Sequence, residues 1–214
     1  MLGEVLLDAA AGKFPPADGG VDLTPVPPGE LPAVLALTGH AYVQADVPAG
    51  DARANGADGF GGATSPEFLL WLAGDRPIGC LDVVLVAPAA SPSVVEAPPA
   101  THAFDDHPRV RASRRIRRDV QVFGDERGVV TIGRGLGGQW EIGIELPDDA
   151  RGRGEGRQLI AAARGLAPDA MPLFAHVSPG NAASLRAFLA AGFTPIGSVV
   201  VIHPRVGFES AVGR

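Results

Sequence analysis

The residues richest in chemistry lie between Trp140 and Leu166, WEIGIELPDDARGRGEGRQLIAAARGL. At the centre, 151–156, the run is Arg-Gly-Arg-Gly-Glu-Gly. Gly152, Gly154 and Gly156 allow the backbone to come close to a ligand and to turn its N–H groups inward. Arg151, Arg153 and Arg157 add three positive charges. The helix expected from Arg157 to Leu166 puts its positive dipole end at the same place. Together these features suit an anion, and a pyrophosphate best. A glycine-rich helix start with solvated arginines is the plainer alternative, and the residues alone leave both open.

Upstream, Trp140–Leu146 alternates as a strand does. Glu141, Gly143 and Glu145 share one face, opposite Trp140, Ile142, Ile144 and Leu146. Downstream, Asn181-Ala-Ala-Ser-Leu-Arg-Ala-Phe-Leu-Ala-Ala-Gly-Phe193 begins with a residue that caps helices and ends with a glycine where a helix stops.

Two of these segments carry a resemblance. Arg151, Gly154 and Gly156 fit R-x-x-G-x-G, which resembles the acetyl-CoA pyrophosphate loop of the GCN5-related N-acetyltransferases (the GNAT superfamily). Asn181–Phe193 resembles that family's N-x-x-[AS]-x-x-x-[YF]-x-x-x-G-F segment. The likeness spans roughly residues 108–203. It implies that the backbone N–H groups of Gly152, Arg153, Gly154, Gly156 and Arg157 hold the pyrophosphate, with Arg151 closing the loop. It implies that Ile144, Glu145 and Leu146 pair their backbone with pantetheine and polarise the acyl carbonyl. Asn181, Ser184 and Phe188 would line the lower pantetheine. A strand carboxylate acting through a water is the base the resemblance suggests, Glu141 first and Glu145 second, with His176 a third candidate. Two positions depart from the pattern. Phe188 stands where many members have a proton-donating tyrosine, and Glu155 stands where the family is usually apolar.

The elements that must position these groups follow from pattern. Val120–Phe123, Val129–Gly133 and Trp140–Leu146 read as three strands joined by turns at 124–128 and 135–138. Leu173–Val177 is a strand, Asn181 opens a helix to Ala191, and Phe193–Ile202 supplies a last strand or strand pair. Pro108–Arg117 is an arginine-rich helix whose charges are expected to meet acidic residues. In the front half, Val21–Val26 reads as a strand and Glu30–Val43 as a helix. Residues 47–64 read as an exposed loop. A helix from Pro66 to Ala73 is capped by Ser65, and Ile78–Val86 is a strand with Cys80 in the core. Pro88–Thr101 reads as a linker. The expected fold class is α/β, a GNAT-like mixed, splayed β-sheet flanked by helices. The resemblance implies that residues 105–214 form the acyl-CoA-binding domain. Residues 1–104 form an acidic α/β extension, either part of the same fold or a degenerate second half.

Composition narrows the function. With 46% hydrophobic and 20% charged residues in 214, the chain is expected to bury a globular core. One cysteine excludes an intrachain disulfide and a cysteine-built zinc site, and the five histidines have no metal-ligand spacing, so no metal is expected. No apolar run approaches the ~20 residues of a membrane span. The N-terminus lacks the basic and apolar regions of a signal peptide, so a soluble cytoplasmic protein is expected. Net charge is −6, but residues 1–108 carry 3 basic and 14 acidic side chains and residues 109–214 carry 15 and 10. An anionic ligand therefore belongs on the back half, and the acidic front half favours a cationic acceptor. Gly133–Gly138 also fits G-x-G-x-x-G, but a strand follows it rather than a helix, so it reads as a hairpin turn. Six arginines in 109–118 lack interleaved aromatics, and nucleic acid is not expected as a partner.

The expected activity is transfer of an acetyl group from acetyl-CoA, as co-substrate, directly to a primary amine of a small molecule or peptide. A non-catalytic acyl-CoA-binding or regulatory module is the alternative. By analogy with relatives of this fold, a homodimer is also allowed for.

Overall fold

The computed structural model describes residues 2–88, 96–150, 152–168 and 171–205. In chain order the front half holds α1 (Leu2–Ala10), β1 (Val21–Thr24), β2 (Ala33–Leu37), β3 (His40–Gln44), α2 (Ala49–Ala54), α3 (Pro66–Ala73) and β4 (Asp82–Ala87). The back half holds α4 (Pro108–Ile116), β5 (Arg118–Asp125), β6 (Gly128–Arg134), β7 (Trp140–Glu145), α5 (Glu155–Ala163), β8 (Leu173–Val177), α6 (Ala182–Ala190) and β9 (Thr194–Val201). The strands form one sheet in the order β1-β3-β2-β9-β4-β8-β7-β6-β5. Strand β4, from the front half, lies between β8 and β9 from the back half, antiparallel to both. Only β1/β3 and β7/β8 are parallel neighbours.

Side-chain alternation divides the helices between the two faces. On one face Leu2, Leu6 and Ala9 of α1, spaced for a single helical stripe, pack on Leu35, Val84, Phe174 and Val199. Beside them Val110 of α4 packs on Val122 and Val129. On the other face Leu159, Ile160 and Ala163 of α5 and Phe188 of α6 cover Ile132, Ile142, Ala175 and Val177. Phe68, Leu69 and Leu72 of α3 cover Val34, Val43 and Val200. The arrangement is a mixed α/β layer structure with helices on both sides of a mostly antiparallel sheet.

The helix expected over Glu30–Val43 is instead the β2–β3 hairpin. Both strands are central, and β2, Ala-Val-Leu-Ala-Leu, is apolar on both faces, so that run carries no alternation to distinguish it from a buried helix. The signal lies in the turn: Thr38 and Gly39 have φ of 45° and 78°, the pair of positive values a two-residue hairpin loop needs. Residues 47–64 are not all loop, since α2 forms there and buries Ala52. Cys80 is exposed rather than in the core: the strand begins only at Asp82, and the Cys80 thiol donates to Ser178 Oγ at 3.3 Å. Helix α1, for which no helix was expected, docks on the turn at 136–138, and Gln139 Nε2 donates to the Gly3 carbonyl at 3.3 Å. The linker reading of 88–101 falls partly on 89–95, outside the described residues. From Ala97 the chain returns to the sheet edge, where Thr101 N–H donates to the Val122 carbonyl at 3.0 Å.

Candidate active site

Parallel strands β7 and β8 are in register at one residue pair, Glu141 with Phe174. Beyond it β7 continues to pair with β6 as far as Glu145 with Val129. Likewise β8 continues to pair with β4 as far as Val177 with Val83. The facing edges of the two strands therefore part, and from Ile142 and Ala175 onward they form no ladder with each other. A wedge opens whose walls are lined by backbone N–H and C=O groups, which seek hydrogen-bond partners.

Both strands run toward the mouth of this wedge, and each is followed by a helix that starts there. After β7 comes α5, whose N-cap Gly154 has φ +84° and supplies no side-chain cap. Among the described residues, the first-turn N–H groups of α5 have neither an intrahelical nor a capping acceptor. Gly152 and Gly154 both have positive φ and open space where a Cβ would be. Gly156 lies closer in: a Cβ there would be 3.4 Å from Leu146 and 3.8 Å from Ala187, so α5 sits against the end of the strand and against α6. Arg153 and Arg157 are exposed around this turn. Arg151 lies outside the described residues. Glu155 is the first residue of α5, where a carboxylate favours the helix dipole.

After β8 comes α6, capped as expected: Asn181 Oδ1 accepts from the Ser184 N–H at 3.0 Å. Gly192 follows the helix with φ +88°. Phe188 faces the core, its ring edge-on to Phe193 at 5.0 Å. Ile144 and Leu146 are half-buried on the α5 side of the wedge.

The opposite face of β7 carries the two candidate carboxylates, and the structure separates them. Glu145, near the wedge mouth, is partly exposed and pairs with Arg109 Nε at 3.3 Å. Glu141 is buried. Its Oε1 accepts from Arg117 Nη2, and the side chains of Glu141 and Arg117 are 5% and 7% exposed. Arg117 Nη1 also donates to Ser113 Oγ at 3.0 Å. The second oxygen of Glu141 lies 3.6 Å from Nδ1 of His176, whose side chain is 11% exposed. That is ion-pair range rather than a hydrogen bond. Burial pushes the Glu141 carboxyl pKa up, but the charges of Arg117 and His176 outweigh it and hold the group below the usual carboxylate value.

Sequence reasoning missed Asp82 and Arg117 in this cluster. Asp82 stands on the same face of β4. Burial raises its pKa and the Glu141 charge adds to this, against lowering contributions from His176 and the Cys80 thiol. Arg117 follows an arginine-rich helix and looks like its neighbours in sequence. Arg114 and Arg118 meet acidic residues as expected, Asp105 at 2.6 Å and Glu30 at 3.6 Å, but Arg117 turns inward. A cavity of about 40 Å³ adjoins the cluster, walled by Glu30, Ile116, Arg134, Leu136, Glu141 and His176 among others.

Among the described residues no group of three or more His, Cys, Asp and Glu side chains is arranged to hold a metal ion. Among them too, no helix is long and apolar enough to cross a membrane.

No family model matches the sequence, and no curated protein matches it. The solved structures similar to it include the following three. An acetyltransferase of the GNAT family from Colwellia psychrerythraea is 11% identical, over 76% of this chain and 75% of its own, with a TM-score of 0.44. A GCN5-related N-acetyltransferase from Kribbella flavida is 14% identical, over 65% and 63%, with a TM-score of 0.43. An acetyltransferase from the GNAT family from Novosphingobium aromaticivorans is 18% identical, over 59% and 64%, with a TM-score of 0.41.

Proposed function

We propose that this chain is an acyltransferase that carries an acetyl group from acetyl-CoA directly to a primary amine. The observation that carries this reading is the wedge between β7 and β8, with the uncapped N-terminus of α5 at its mouth. Pantetheine is an extended chain with two amides. Lying along β7 it would give the strand edge the hydrogen-bond partners that β8 withholds. The pyrophosphate would meet the N–H groups of Gly154–Arg157 and the arginines beside them, where positive charge and free donors coincide. The residues present thus fit the nucleotide. The thioester would lie deeper in the wedge, beside Gly143 and His176. The acceptor would come from the opposite face, through the cavity beside the end of α4. Acceptors in keeping with its small, charged end are small-molecule or peptide amines whose amino group enters while the rest stays outside.

A second reading, an acyl-CoA-binding module without turnover, draws on two observations. Glu141 is committed to Arg117, and Phe188 offers no proton to the leaving thiolate. One experiment separates the two. The purified protein is incubated with acetyl-CoA and n-butylamine, lysine, spermidine or a short peptide, and free thiol is followed. Amine-dependent thiol release supports the transferase. Stabilisation against heat by acetyl-CoA, without release on any amine, supports the binding module. Neither effect would overturn both.

A further inference from the structure

We propose that His176 is the group that takes the proton from the acceptor amine, with Glu141 and Arg117 as positioning residues behind it. This rests on the acyltransferase reading. Three observations place His176 in the role. His176 lies two residues beyond Phe174, the last residue of β8 in register with β7, on the stretch of β8 that has parted from β7. His176 also lines the cavity on the far face, so it borders both the thioester's place and the acceptor's. The carboxylate that the sequence favoured as base is locked: Glu141 is buried, bonded to Arg117, and turned toward Nδ1 of the imidazole. With Nδ1 turned to Glu141, Nε2 on the other side of the ring is left for a ligand.

The charged groups facing the ring are Glu141 of β7, Asp82 of β4 and, behind Glu141, Arg117 at the end of α4. The cavity wall adds Glu30, held by Arg118 at 3.6 Å, and Arg134, stacked over Trp140 at 4.0 Å. In the reaction the substrate ammonium gives one proton to Nε2. The freed amine nitrogen attacks the thioester carbon, forming the C–N bond. The C–S bond then breaks, and the sulfur leaves with its electron pair. The nitrogen sheds a second proton, which neutralises the CoA thiolate. The proton on His176 passes to water, so one amide, one CoA thiol and one proton are formed.

The test is the pH dependence of kcat/KM for amine-dependent CoA release, in the wild type and in His176→Gln, His176→Ala and Glu141→Gln. The wild-type profile should fall on its acid side with the titration of a single group. Both His176 variants should keep their stabilisation by acetyl-CoA while kcat/KM falls about 10²–10⁴-fold and the acid limb disappears. Added imidazole should restore His176→Ala and leave His176→Gln unchanged. In Glu141→Gln the acid limb should persist at a different pH, because the ring loses the charge that faces Nδ1. A purely structural role for Glu141 would lower activity without moving the limb. A wild-type profile with no acid limb overturns the assignment without any variant. So does turnover in the His176 variants within about threefold of wild type. Wild-type protein that releases no CoA with any amine overturns the acyltransferase reading itself.

Discussion

Gly143 lies directly against the guanidinium of Arg117: a Cβ at Gly143 would stand 3.0 Å from Arg117 Nη1 and 3.0 Å from Thr131 Oγ1. The absence of a side chain on β7 is thus what lets Arg117 reach under the sheet to Glu141. Gly143→Ala should push the guanidinium off its partners and lower stability by about 1–3 kcal/mol, the range for overfilling a packed site. Urea unfolding reads this directly. An unchanged midpoint would mean that Arg117 has room the structure does not give it.

The Arg117–Glu141 pair fixes one pH dependence of stability. Arg117 and His176 hold the Glu141 carboxyl below its ordinary value of 4.5, overcoming the upward push of burial. A carboxyl depressed by folding contributes stability that is fully present above its unfolded pKa and is lost as pH falls through the folded one. The wild type should therefore lose this stabilisation below about pH 4.5. Glu141→Gln should lack that component and be less stable at pH 7 by about 3–5 kcal/mol, since Arg117 stays buried without a counter-charge. Unfolding curves for the two proteins between pH 3 and 7 decide it, and parallel curves would count against the pair.

Asp82 should show the opposite sign. Burial, helped by Glu141, raises its carboxyl above the ordinary 3.8. The folded state then disfavours the carboxylate, a penalty present above the folded pKa and gone below the unfolded one. Asp82→Asn should raise the melting temperature at pH 7 and leave it unchanged near pH 3. A drop at pH 7 would mean that the attraction of His176 for Asp82 outweighs the burial.

What was legible in the sequence was local. The glycine turn before α5, the Asn181 cap and the three hairpin strands β5–β7 each announce themselves within a few residues, through turn chemistry or alternation. The β2–β3 hairpin did not, because a strand buried on both faces loses its period and Thr38 is an unusual residue to hold a positive φ. The insertion of β4 between β8 and β9 was invisible for a different reason. Pairing of Val84 with His176 and Gly197 joins residues about a hundred positions apart, and no short-range pattern encodes that choice. For the same reason the burial of Glu141 was not legible, since it depends on Arg117 arriving from the end of α4.

Asn181 offers a way to separate folding from ligand binding at the wedge mouth. Its side chain caps α6 through the Ser184 N–H at 3.0 Å. Asn181→Ala should lower stability by about 1 kcal/mol through loss of that cap. Asn181→Asp keeps the cap and complements the helix dipole, so stability should hold. It also places a negative charge at the end of the wedge, and acetyl-CoA should bind more weakly to it than to wild type. Unfolding by urea and titration with acetyl-CoA give the two readouts. If Asp at this position binds acetyl-CoA like wild type, the cofactor does not pass α6.

Gly154 tests the anion site, with Gly12 as its control. Both have positive φ, +84° and +79°, and both have open space where a Cβ would be. An aspartate at either should carry similar backbone strain, about 1–2 kcal/mol and less where the side chain bonds locally. Only at Gly154 does the new carboxylate stand before the uncapped N-terminus of α5. Acetyl-CoA at ~100 times its dissociation constant adds about 2.7 kcal/mol to the folded state, a shift easily seen on heating. Gly12→Asp should keep that shift, and Gly154→Asp should lose most of it while still folding. Equal shifts in the two variants would remove the pyrophosphate from the α5 turn. Equal loss in both would point to strain in place of charge.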